Sequence, residues 1–428
     1  MNVNKITEFS DSKLREKYYH AKHESGLDIY VFPKKMTVSY ALLGVNFGSL
    51  ADKIVLDGGK IKALPSGIAH FLEHKLFSCE DGSDAFEKFA SFGADANAYT
   101  SFTKTVYLFS CTENFDRSLA QLVDFVYHPY FTEENVRSER SIIEQEIKMC
   151  DDSPYDAVSR NLLYAMYGEC AASENPCGSV GSISKITPEM LYECYRLFYR
   201  YSNMALIVCG DVDIESVIGI VDRNLPIRER AEVFNVVPMR TDKKVFKDYI
   251  EKHMPVGKSI FELGIKDVNI SEDPCERLRR DAAMTILDEI IFSRAGDLYN
   301  EMFESGLISA SYSYGYSMTK ELAFHSVYGE SDEPKKVLEK IKNYIKKAQE
   351  NGISKEDFVR CKRILEAEFI RDFDSTDDIA NSLLDFVFDG AEMFEYRKII
   401  EDVTYEDVCE CLRDAFRDEY FALSVISE

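Results

Sequence analysis

The strongest constraint on the fold is an internal repeat. A gapless shift of 222 residues lays TEENVRSERSIIEQEIKMCDDSPYDAVSRNLLYAMYG (132–168) on SKEDFVRCKRILEAEFIRDFDSTDDIANSLLDFVFDG (354–390). It pairs Glu134 with Glu356, Ile142 with Ile364, Glu146 with Glu368, Asp156 with Asp378, Leu162 with Leu384 and Gly168 with Gly390. A shift of 217 then pairs Thr187 with Thr404, Cys194 with Cys411 and Arg196 with Arg413. Matches in the same order in both halves imply a duplicated unit, which decides architecture before any single element does. At 428 residues the chain is too long for one ordinary core, so two or more domains are expected on length as well. The repeat divides it into domains at 1–228 and 245–428, with 229–244 as the linker.

Within the first half, strand and helix patterns alternate. GLDIYVF (26–32), SYALLGVNFGS (39–49) and MALIVCGDV (204–212) read as strands, and NAYTSFTKTVYLFSC (97–111) as a strand pair. Ser66 can cap a helix through IAHFLEHKLF, and Ser83 another through AFEKFASFG. Further helices are expected near 114–127 and 132–149, and Thr187-Pro188 opens one more. The fold class is α+β: two homologous α/β-sandwich halves, each a mostly antiparallel sheet with helices on one face.

Composition narrows the partners. A net charge of −24 repels nucleic acid and anionic membrane surfaces on average, so neither is expected as a partner. A neutral or basic peptide suits that field better. No stretch approaches the ~20 apolar residues of a membrane span. The N-terminal MNVNKITEFSDSKLREKYYH lacks an apolar signal core, and the eleven cysteines include no CxxC pair. A cytoplasmic protein with reduced thiols is therefore expected.

Only seven histidines occur, and two stand in His70-Phe71-Leu72-Glu73-His74. Residues i and i+4 share a helical face, so both imidazoles can reach one ion, with Glu73 beside them. Zinc lowers the pKa of the water it holds to near ~7, which lets a carboxylate act as the base. This is the H-x-x-E-H order of the inverzincins. Catalytic zinc takes three protein ligands, so a third is needed. SERSIIEQEIKMC (138–150) supplies Glu139, Glu144 and Glu146, of which Glu139 and Glu146 share a face two turns apart, with Ile142, Ile143 and Ile147 packed elsewhere. The second half has no HxxEH, so any metal site lies in the first half.

With these residues the chain resembles the pitrilysin/insulinase family of zinc peptidases, which includes the mitochondrial processing peptidases. GIAHFLEHKLF is similar to the family's metal helix and ERSIIEQEIKMCDDSP to its downstream glutamate segment. The resemblance implies Zn2+ held by His70, His74 and Glu146, with Glu139 orienting His70 or His74 and Glu73 as the catalytic base. FGADANAYTSFTKTVYLFSC is similar to the substrate edge strand, where Asn97 and Ala98 would hold peptide backbone and Tyr99 would flank a side-chain pocket. It also implies two halves forming a clam-like chamber and a zinc endopeptidase acting on small peptides or unfolded segments. The chain would work as a homodimer or as a heterodimer with a motif-less paralogue. GLDIYVFPKK, DGSDAFEKF and AHFLEHKLF resemble a bacterial branch linked by name to elongation factor P modification. In one place the pattern breaks. Active relatives carry an arginine and a tyrosine, seven apart, in the non-metal half. Here Phe303 takes the arginine's place and no tyrosine falls at the expected position, leaving Arg294, Tyr312 and Tyr314 as substitutes or the role to a partner chain. The alternative reading is a weak or inactive peptide-binding partner of a motif-less paralogue.

Overall fold

The computed structural model describes residues 3–56, 58–226, 234–239 and 241–428. The chain packs into two compact units. One comprises Met1–Ile147, Asn175–Val237 and Ile370–Phe388; the other comprises Lys148–Glu174, Pro238–Phe369 and Asp389–Glu428.

The strands of the first unit are β1 (Val3–Asp11), β2 (Glu16–His23), β3 (Asp28–Pro33), β4 (Ser39–Val45), β5 (Lys53–Leu56), β6 (Ile61–Ala63), β7 (Ala94–Thr100), β8 (Thr105–Cys111), β9 (Met204–Gly210) and β10 (Phe234–Val236). The second unit holds β11 (Tyr249–His253), β12 (Ile260–Lys266), β13 (Ser313–Met318), β14 (Ala323–Glu330) and β15 (Phe421–Ser427). The main sheet of the first unit runs β1-β2-β3-β9-β4-β8-β7, and that of the second runs β11-β15-β12-β14-β13. The last five strands of the first sheet and all five of the second share one order. β3 is parallel to β9 and β11 to β15, and every other pair in the two sheets is antiparallel. A duplicated fold requires this identity of order and sense.

The helices repeat as closely. In the first part of the chain α1 (Ile68–Leu76), α2 (Ala85–Ser91), α3 (Phe115–Tyr127), α4 (Glu133–Asp152) and α5 (Pro154–Tyr167) follow one another. Moved by 222, α4 starts where the helix Lys355–Arg371 starts, and α5 coincides with Thr376–Asp389. Moved by 217, the helix Pro188–Phe198 coincides with Tyr405–Ala415, and β9 with β15. Thr187 caps its helix as expected, accepting from the Met190 N–H.

The packing departs from the linear order. By sequence α5 belongs to the first half, yet it packs on β12 and β15 in the second unit. Its repeat, Thr376–Asp389, lies almost wholly in the first unit. A glycine marks each crossing. A Cβ on Gly44 of β4 would stand 2.6 Å from Leu384, and one on Gly264 of β12 would stand 2.9 Å from Leu162. Gly44 pairs with Ala205 and Gly264 with Ala422, and the two alanines are again 217 apart. The missing side chain lets the repeated leucine settle directly on the strand.

Part of the expected linker is also ordered: β10 pairs antiparallel with β5, while 229–233 and 240 lie outside the described residues. Ile142 does not pack in the core; it is 56% exposed, whereas Ile143 and Ile147 are buried. Among the described residues no helix is long and apolar enough to cross a membrane.

Candidate metal centre

The helix α1 is buried along most of its length, with Ile68, Phe71, Leu72 and Leu76 in the core of the first unit. Its start differs from expectation. Gly67, at φ 85°, is the N-cap and no side chain caps the helix. The reason is crowding: a Cβ on Gly67 would stand 2.4 Å from the Cys177 carbonyl oxygen, and one on Gly178 would stand 2.5 Å from the Ser66 carbonyl oxygen. Two glycines thus let the loop around Cys177 close on the helix start, backbone against backbone. Gly67→Ala should destabilise the protein by at least about 1–2 kcal/mol, from the left-handed backbone alone. An unchanged unfolding midpoint in urea would contradict this account.

With α1 so placed, His70 and His74 face α4. His70 Nε2 lies 3.5 Å from Glu146 Oε1, and His74 Nε2 lies 3.5 Å from Glu146 Oε2. The two imidazole centroids are 4.5 Å apart. The carboxylate of Glu139 selects one of the two histidines: His74 Nδ1 meets Glu139 Oε1 at 3.0 Å. With Nδ1–H donating there, the Nε2 lone pair is turned toward Glu146. Glu139 also receives Lys75 Nζ at 3.3 Å, and the same ammonium donates to Ser78 Oγ at 2.9 Å. His70 Nδ1 is buried and has no hydrogen-bond partner among the described residues.

The electrostatics follow from this crowding. Burial alone would push the His74 pKa down, but the Glu139 hydrogen bond and the charges of Glu73, Glu139 and Glu146 hold it above the ordinary imidazole value. The His70 hydrogen bond holds Glu146 below the usual carboxylate range against the opposing pull of burial. Burial would raise Glu139, yet the His74 hydrogen bond and the Lys75 charge bring it below that range. Two imidazole nitrogens, each 3.5 Å from a different oxygen of one carboxylate and one of them on a ring oriented from behind, are donors of the types that suit zinc.

Glu73 sits beside this set. It is 8% exposed, and its Oε2 accepts from Thr100 Oγ1 at 2.7 Å. Thr100 ends β7, the edge strand of its sheet, so the carboxylate is tied to the strand that carries Asn97, Ala98 and Tyr99. The Ala98 N–H donates to Asn97 Oδ1 at 2.8 Å, and Tyr99 Oη donates to Asn381 Oδ1 at 2.8 Å. The helix α2 in front of β7 is capped by Asp84, which accepts from the Phe86 N–H; Ser83 instead donates its hydroxyl to Asp81.

One residue at this place was not expected from the sequence. Cys177 Sγ lies 3.6 Å from Glu146 Oε1 and 3.8 Å from His70 Nε2. It stands 31 positions past Glu146, in a loop, where no helical or strand period links it to the motif.

Among the described residues the second unit holds no such set. Glu368 has the sequence position of Glu146 and lines a cavity of about 620 Å³ together with Asp288, Glu289, Arg294, Tyr314 and Cys361; no histidine lines it. Phe303 is 45% exposed on the helix Asp297–Glu304. The groups named as its substitutes have local partners. Arg294 Nη2 donates to the carbonyls of Ala310 and Tyr312 at 3.0 and 2.8 Å, Tyr312 Oη to the Phe292 carbonyl at 3.1 Å, and Tyr314 Oη to Glu289.

Known proteins share this sequence and fold. The profile of the insulinase family (peptidase family M16) matches residues 34–176, and that of the peptidase M16 inactive domain matches 185–365. A Bacillus subtilis (strain 168) protein described as the uncharacterized zinc protease YmfH is 37% identical over 402 residues, which are 92% of this chain and 93% of that one. The crystal structure of a protein from Alicyclobacillus acidocaldarius, described as M16-like, superposes with a TM-score of 0.91 at 27% identity, covering 96% of this chain and 98% of that one. A protease from Helicobacter pylori shares the fold, with a TM-score of 0.83 at 18% identity over 96% of this chain and 100% of that one. With relatives of this kind matching along nearly its whole length, the chain belongs to the insulinase family, peptidase family M16.

Proposed function

We propose that this chain is a zinc-dependent endopeptidase acting on small peptides or unfolded segments. The observation that carries the reading is the placement of His70 and His74 against the two oxygens of Glu146, beside the buried carboxylate of Glu73. The imidazole Nε2 atoms of His70 and His74 and the Glu146 carboxylate would hold the ion, with Glu139 fixing the His74 ring. Zinc, when bound, makes a water acidic enough to serve as nucleophile near neutral pH and polarises the scissile carbonyl. Glu73 takes the proton from the attacking water and returns it to the leaving amine. Thr100 holds Glu73 in place through its hydroxyl. A peptide adds as a strand along the outer edge of β7, where recognition rests on backbone more than sequence. To do so it must compete with Asn97 for the Ala98 N–H.

Substitution of His74 tests the metal. The wild-type chain should carry about one zinc, and His74→Ala should lose it together with turnover. The fold should persist, because the first unit has its own large core and does not depend on a structural metal. Elemental analysis and far-UV circular dichroism on the same preparation check both points. Full zinc retention in His74→Ala would overturn the site.

A second reading is favoured by Phe303 and by the local partners of Arg294, Tyr312 and Tyr314. In it, the chain is the metal-bearing member of a pair and a motif-less paralogue supplies the missing cationic and phenolic groups. Cleavage of a quenched peptide by the chain alone, and again with such a paralogue added, separates the two. The acidic surface and the HxxEH site fit a cytoplasmic peptide chemistry, with neither nucleic acid nor membrane as partner.

A further inference from the structure

The thiol beside the donor set has no part in the chemistry just described. We propose that Cys177 is a fourth protein ligand of the metal, held through Sγ in the substrate-free protein. The inference rests on the zinc reading above and adds to it a statement about the resting site.

Three distances carry it. His70 Nε2, Glu146 Oε1 and Cys177 Sγ are 3.5, 3.6 and 3.8 Å from one another, taken as N–O, O–S and N–S. A tetrahedral zinc with nitrogen and oxygen near ~2.0–2.1 Å and sulfur near ~2.3 Å separates its donors by roughly 3.3–3.7 Å. The three atoms therefore lie close to one face of such a tetrahedron, and His74 Nε2 is 3.5 Å from the second oxygen of the same carboxylate. Cys177 is 8% exposed, so its sulfur faces this site and not solvent.

Its position is also built and not incidental. The Cys177 N–H donates to Asn175 Oδ1 at 3.0 Å, and the Gly178 N–H donates to the Asn175 carbonyl at 2.7 Å. The close approach of Gly67 and Gly178 then locks this loop to the first turn of the metal-bearing helix. One clasp thus sets the distance between Cys177 and His70.

Ligation replaces the S–H bond with a sulfur–metal bond and releases that proton to solvent. A site with two imidazoles, one carboxylate and one thiolate is four-coordinate and closed, whereas a hydrolytic site needs an open position. With Cys177 so bound the resting site would have no open position, and its sulfur would have to make way for water before Glu73 could act.

The competing account is an S–H donor to Glu146 with no bond to metal, and spectroscopy on the full chain separates the two. Zinc X-ray absorption of the wild type should show one sulfur scatterer near ~2.3 Å. The cobalt-substituted protein should show thiolate-to-metal charge-transfer absorption. Both signals should vanish in Cys177→Ala and in Cys177→Ser, with about one metal retained. A wild-type zinc shell of nitrogen and oxygen alone overturns the inference and leaves the peptidase reading intact, and it needs no variant to fold. A chain that takes up neither metal overturns both.

Discussion

Glu73→Gln should lower peptide turnover by about 10²–10⁴-fold, the usual contribution of a positioned general base, with zinc content unchanged. The amide has nearly the size and shape of the carboxylate, and its oxygen can still accept the Thr100 hydroxyl that now lies 2.7 Å from Glu73 Oε2. Glu73 is not among the residues proposed to hold the ion, so its replacement should remove no ligand. A peptide docked on β7 as proposed would make backbone hydrogen bonds that do not involve residue 73. The loss should therefore fall on the chemical step, with substrate affinity little changed. Turnover, zinc content and affinity for an uncleaved peptide, all measured on one preparation, test the assignment. Undiminished turnover with zinc retained would show that Glu73 is not the base.

Arg280→Ala should cost about 3–5 kcal/mol of stability at neutral pH, because it strands a buried charge. Asp267 is 3% exposed just past β12, and its carboxylate receives Arg280 Nε at 2.7 Å and Nη2 at 2.8 Å. Tyr316 Oη on β13 donates to it at 2.7 Å, and the Asn269 N–H at 3.0 Å. The pair ties the helix Pro274–Phe292 to a central strand and to the edge strand of the second sheet. Without the guanidinium, one hydroxyl and one amide remain to offset the desolvated anion. Burial alone would raise the Asp267 pKa, but the Arg280 hydrogen bonds and charge hold it below the usual carboxylate value. A folded-state pKa below the unfolded value, near ~3.9, means that the unfolded chain binds more protons between the two. The stabilisation is thus complete above the unfolded pKa and is lost as pH falls through the folded one. Urea unfolding of both proteins should give a constant difference from about pH 5 to 8 that shrinks below about pH 4. A difference under about 1 kcal/mol at pH 7 would refute the role given to the pair.

Local patterns foretold much of this molecule. Thr187 caps its helix, the two acids seven apart on α4 face the helix that carries His70 and His74, and the shift of 222 lays the helix 154–167 on 376–389. The errors are local competitions. Ser83 and Asp84 are both good caps; Asp84 takes the helix N–H, and Ser83 is engaged with Asp81. Ser66 is a fitting cap by type, but the loop at Gly178 closes on its carbonyl and Gly67 takes over. Ile142 has the chemistry of a core residue and the wrong angular position on its helix.

Periodicity records which face of an element is apolar or which side chains share a turn, and these are properties of a few neighbouring residues. The spacing of His70 and His74, the duplicated helices and the strands at 26–32, 39–49, 97–111 and 204–212 are of that kind, and these could be read in the chain. Periodicity does not record which other surface that face will meet. The exchange of α5 and the helix 376–389 between the repeats was decided there, in the fit of Leu162 over Gly264 and of Leu384 over Gly44. So were the choice of His74 over His70 by Glu139 and the arrival of Cys177 beside His70 and Glu146 from a loop. Each depends on close packing between segments far apart in the chain, where the shape of both partners sets the contact.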